Sequence, residues 1–113
     1  MKDDTFYLRY ILECIHRVEE DTASGGDVFR ASQTAQDAVV RNLQVLAEST
    51  QRLSDELKTR WSQVEWARIA AFRNVLVHDY LGLDMERIWV VTQRDVPELK
   101  KLVELILRSG SNA

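Results

Sequence analysis

The chain has 113 residues with a formal net charge of −3, enough for one domain with a modest core that a homodimer interface would naturally supplement. An acidic balance excludes a protein that coats nucleic acid through many phosphate contacts, though a local basic groove around Arg60, Arg68, Arg73 and Arg87 stays open. The single cysteine, Cys14, leaves no internal disulfide, and with no leader-like apolar region or bilayer-length apolar run the chain reads as cytosolic.

Apolar periodicity predicts about five helical segments and no strand. The first runs from about Asp4 to Asp21, with Asp3 or Asp4 as N-cap and Gly25-Gly26 beyond its end. Phe6, Tyr7, Tyr10, Ile11, Cys14, Ile15 and Val18 repeat at three and four, while Leu8 and Leu12 widen the stripe and imply a second contact surface. The second segment starts near Phe29 or Ser32 and continues to about Leu57, with Ala35, Ala38, Val39, Leu43, Leu46, Leu53 and Leu57 facing inward. Lys58-Thr59-Arg60-Trp61 reads as a turn, and Ser62-Gln63-Val64-Glu65 as a capping box that starts the third helix near Gln63. That helix carries Trp66, Ile69, Ala70, Arg73 and Val77 and ends around His78 to Tyr80, with Gly82 as a left-handed stop. Asp84 caps a short fourth helix, and Pro97 suits the first turn of a fifth bearing Leu99, Leu102, Val103 and Ile106. The fold class is all-α: an antiparallel bundle over residues 1–108, with a flexible tail over 109–113.

Within this ordinary pattern, Arg73-Asn74-Val75-Leu76-Val77-His78-Asp79-Tyr80 gathers a permanent cation, an acid/base near neutrality and a phenol. An arginine fork matches phosphate, and histidine exchanges protons near pH 7, so the pair suits phosphodiester chemistry. Five residues at about 100° each set Arg73 and His78 roughly 140° apart on a regular helix, too wide for one phosphate. Either the helix unwinds at His78, or two chains contribute. Asn74, four residues before His78, could orient the imidazole, or Asp79 could take its N–H. The plainer reading is an arginine in a salt bridge and a histidine favoured by a helix C-terminus. His16 lies four residues before Glu20 and fits a solvated face, and Trp61, Trp66 and Trp89 fit core or interface aromatics. Two histidines and one cysteine offer no ligand set for structural zinc, so neither metal nor other cofactor is implied.

Arginine, four residues, then His-Asp-Tyr resembles the signature of the HepT-like ribonuclease toxins, in the HEPN superfamily of helical RNases. Asp37-Ala38-Val39-Val40-Arg41-Asn42-Leu43 and Glu48 resemble the second-helix block of that family, and Trp66 the tryptophan that precedes its catalytic arginine. Leu81-Gly82-Leu83-Asp84 and the Trp89 region extend the likeness over nearly the whole chain. The resemblance implies an HEPN-like fold and Arg73 and His78 as catalytic, with Asn74, Asp79, Glu48, Arg41 and Asn42 supporting the cleft. It further implies a homodimer, an RNA substrate and restraint by a cognate MntA-like nucleotidyltransferase antitoxin that transfers AMP to Tyr80. The alternative is a noncatalytic helical partner or substrate of such a nucleotidyltransferase.

Overall fold

The computed structural model describes residues 3–110, with backbone alone at Tyr80 and Gly110. Every regular element among the described residues is helical, as the apolar periodicity predicts. Helix α1 spans Asp4–Thr22 and is capped by Asp3, whose carboxylate accepts from the Phe6 N–H. It closes at Gly25, the one described residue with positive φ, at +96°. Helix α2, Gly26–Ala31, leads directly to α3, Gln33–Gln51, which is capped by the Ser32 hydroxyl accepting from the Ala35 N–H.

The single long second helix predicted from near Phe29 or Ser32 to Leu57 is thus three helices, because α4 spans Asp55–Arg60. The break after α3 has a tertiary cause. The Asp4 carboxylate accepts from both the backbone N–H and the hydroxyl of Ser54, at 2.8 and 2.7 Å, while the Ser54 hydroxyl accepts from the Leu57 N–H. At the end of α3, the Ser49 and Thr50 hydroxyls donate back to the carbonyls of Val45 and Ala47, which weakens continuation of the helix. The same Asp4–Ser54 contact joins the start of α1 to the end of α3, so these packed helices run antiparallel.

Helix α5 spans Trp66–His78. The predicted capping box at Ser62 and Glu65 does not form. Residues 61–64 are a turn instead, with Val64 buried and Trp66 Nε1 donating to the Trp61 carbonyl, and Glu65 makes no side-chain cap. The predicted left-handed stop at Gly82 is also absent. A 3-10 turn, Tyr80–Gly82, ends the segment through a bond from the Gly82 N–H to the Asp79 carbonyl, with φ outside the positive region. Helix α6, Met85–Val90, starts at the predicted Asp84 cap. It runs through a π turn, Val91–Asp95, into α7, Val96–Gly110, with Pro97 in the first turn. Helix α7 therefore covers Ser109 and Gly110, beyond the expected domain edge at 108, and 111–113 lie outside the described residues.

Helix α1 is the spine. Its Leu8, Ile11, Cys14, Ile15 and Val18 are buried with Val39, Leu43 and Leu46 of α3 and Val103 and Ile106 of α7. Helices α3 and α7 both pack on α1 and bury Leu8, while Phe6 and Tyr10 of the stripe stay exposed and stack on each other. Phe29 of α2 meets Trp89 of α6 at 5.4 Å, and Arg30 pairs with Glu86 across the same seam. Helix α5 therefore starts beside α4 at the C-terminal end of α3 and leads towards α6, which packs on α2 near the N-terminus of α3. It runs antiparallel to α3, with Leu76 fully buried. No helix among the described residues is long and apolar enough to cross a membrane.

Candidate active site

Arg73 and His78 lie on one regular α-helix whose last residue is His78. The helix does not unwind at the histidine. At about 1.5 Å and 100° per residue, the two lie about 7.5 Å apart along the axis and roughly 140° around it. Arg73 is on the side of α5 that meets α3. Its Nε and Nη2 donate to Glu48 Oε2 at 3.3 and 3.1 Å, and the two side chains are 29% and 35% exposed. His78 is exposed, and its imidazole takes no hydrogen bond from or to a described residue.

Neither predicted orienting bond to the imidazole forms among the described residues. Asn74 Oδ1 instead accepts from Arg73 Nη1 at 3.2 Å, and Asp79 is engaged through its backbone as the C-cap of α5. On α3, Arg41 is seven residues before Glu48, two turns along the same stripe, and is exposed. Asn42 is half-buried and donates its amide to the Ala38 carbonyl at 2.9 Å, so it supports α3 locally. The structure therefore gathers Arg73, Glu48 and Asn74, and leaves His78, Asp79, Arg41 and Asn42 separately placed around them. The Tyr80 side chain, the predicted AMP acceptor, lies outside the described residues.

The arginines expected to form a basic groove do not all line the groove that α5 borders. A groove of about 450 Å³ between α3, α5 and the α6–α7 run has an apolar floor including Leu43, Phe72 and Leu102. Arg68, Arg87 and Arg94 stand at its sides, but so do Glu65, Asp95 and Glu98, and neither Arg60 nor Arg73 lines it. Its charges balance. The π turn contributes Val91, Arg94 and Asp95 to this wall, and sequence periodicity missed it because one added residue barely alters an apolar stripe. His16 faces Glu20 at 3.8 Å on an exposed surface, as expected, and Trp61, Trp66 and Trp89 pack against the core. Among the described residues no group of three or more His, Cys, Asp or Glu side chains is gathered as a metal site.

Comparison with known proteins agrees with the family resemblance. The family described as "Ribonuclease HepT-like" matches residues 11–106. A Caldanaerobacter subterraneus subsp. tengcongensis protein named a "putative RNase" is 33% identical over 109 residues, covering 96% of this chain and 97% of its own. A "probable ribonuclease HepT" of Thermococcus cleftensis is 30% identical over 95 residues, 83% of this chain and 86% of its own. In Methanocaldococcus jannaschii, a protein named "Gamma-glutamylcyclotransferase and putative RNase" is 34% identical over 94% of this chain, which spans 48% of that longer relative. No solved structure gives a significant match. With the all-helical fold, the Arg73–His78 motif at the end of α5 and a family match over most of its length, the chain belongs to the HepT-like ribonuclease family.

Proposed function

We propose that this chain is the toxin of a cytosolic toxin–antitoxin pair, a metal-independent endoribonuclease whose site is shared between the subunits of a homodimer. The observation that carries this reading is the unbroken geometry of α5: Arg73 faces α3 while His78 is exposed about 140° away. One phosphate meets both groups most simply if a second chain brings its own motif opposite. In the reaction, the ribose 2′-hydroxyl attacks the adjacent phosphorus, the P–O5′ bond breaks, and a 2′,3′-cyclic phosphate and a 5′-hydroxyl result. His78 of one chain transfers a proton as base or acid, with water in the other role, and Arg73 of the opposite chain neutralises charge on the phosphoryl oxygens. DNA lacks the nucleophile and should survive.

A cognate MntA-like nucleotidyltransferase restrains the enzyme by moving AMP from ATP to Tyr80, with loss of pyrophosphate. The added phosphodiester charge then competes for Arg73. Purified protein freed of that partner should cleave RNA to cyclic-phosphate ends, and a folded His78→Ala variant should not. Cleavage by His78→Ala equal to wild type would overturn the mechanism, and a wild-type chain that cleaves no RNA would favour the noncatalytic-partner reading.

A further inference from the structure

An arginine that must meet a phosphate in one orientation has to lose the freedom of a long side chain before the reaction, and that ordering is worth rate when it is prepaid. The contacts of Arg73 do this with two different elements. Glu48, fixed on α3, takes Nε and Nη2 through a single carboxylate oxygen, and Asn74, on α5 itself, takes Nη1. A guanidinium carries five N–H donors, one on Nε and two on each terminal nitrogen. Three are engaged by these bonds. The two that remain sit one on each Nη, where phosphoryl oxygens can be received without breaking any bond already made.

From this geometry we infer that Glu48 is a positioning residue for the cleavage reaction, acting through Arg73 together with Asn74 and leaving the terminal nitrogens of the guanidinium for the scissile phosphate. The inference rests on the ribonuclease reading above. Glu48 itself has nothing to offer RNA but repulsion, since its charge opposes a phosphate. Its contribution therefore belongs in turnover rather than in substrate affinity. The contact is partly exposed at both ends, so the bundle does not depend on it and the residue can be varied without losing the fold.

The test is steady-state cleavage of one defined RNA by Glu48→Ala, Glu48→Gln, Arg73→Ala and the Arg73→Ala/Glu48→Ala double variant, with folding followed by circular dichroism. Glu48→Ala should lower kcat by about 10-fold to 100-fold with KM unchanged or smaller. Glu48→Gln, which keeps an acceptor oxygen at the same reach, should restore kcat to within about threefold of wild type. The double variant should be no slower than Arg73→Ala, because a residue that acts only through Arg73 has nothing left to position. A Glu48→Ala enzyme with wild-type kcat, or losses that multiply in the double variant, would overturn the inference. A second readout needs no RNA: hydrogen exchange at the Arg73 Nε–H, seen by NMR, should be slow in wild type and Glu48→Gln and fast in Glu48→Ala. If the chain cleaves no RNA the proposed function fails, and this exchange rate alone decides the anchoring, with an equal rate in Glu48→Ala refuting it.

Discussion

Arg73 and His78 differ in what surrounds them, and their variants should differ accordingly. Arg73 is half-buried against Glu48, so Arg73→Ala leaves one carboxylate without its partner, at a stability cost of about 1 kcal/mol for a pair this exposed. Its activity loss should be far larger, about 10²-fold to 10³-fold in kcat, as for other donors that stabilise a developing charge. His78 is exposed and packs nothing in the core, so His78→Ala should keep the wild-type melting temperature while losing cleavage. Growth after expression, read beside circular dichroism of the same variants, checks both, and a toxic, well-folded His78→Ala protein would contradict the assignment. For Tyr80 the expected result is an AMP mass increment after incubation with the nucleotidyltransferase and ATP, absent from Tyr80→Phe. Equal modification of Tyr80→Phe would remove that tyrosine as the acceptor.

At the scale of elements, the two glycines that flank helices separate a required conformation from an optional one. Gly25 holds φ +96° and ψ 171°, a region closed to residues with a Cβ, so Gly25→Ala should cost about 1–3 kcal/mol although the space around it is open. Gly82 has no positive φ and nothing near its missing Cβ, so Gly82→Ala should leave the thermal midpoint unchanged or raise it. Leu76 is fully buried, and Leu76→Ala should cost about 2–5 kcal/mol and loosen the helix that carries the motif. Chemical denaturation reads all three. The first and last helices were legible in the sequence because each carries its own signals: the Asp3 cap and Gly25 stop for α1, and Pro97 with a regular apolar stripe for α7. The division of the second helix was not, since Ser54 stops it through Asp4, fifty residues away in the chain. The motif residues stood out in the sequence, and Glu48, singled out there by the family resemblance, pairs with Arg73 in the structure. The partner of Asn74 was misjudged, because spacing on a helix allows a contact with His78 but cannot show that the neighbouring Arg73 takes the amide oxygen first.

For the molecule as a whole, Cys14 offers a report on global opening. It is fully buried, and desolvation pushes its thiol above the ordinary range, so it holds less of the reactive thiolate at any given pH. Thiol reagents should label it at the rate of unfolding, and rapid labelling under native conditions would mean that α1 opens locally. Assembly matters more for function. The α1 stripe is covered by α3 and α7 only in part, since Phe6 and Tyr10 stay exposed, and the case for two chains rests chiefly on α5. Light scattering should give twice the chain mass at assay concentrations, and an active monomer would refute a shared site.

The sharpest measurement mixes two inactive proteins. Arg73→Ala and His78→Ala subunits, exchanged at equal amounts and assayed on RNA, form heterodimers in about half of all pairings, and each holds one intact site if arginine and histidine come from opposite chains. Cleavage should return to about a quarter of the wild-type rate, the share of intact sites in the mixture. A mixture whose subunits have exchanged, as shown by mass, but which stays as inactive as either parent while wild type cleaves would contradict the shared site.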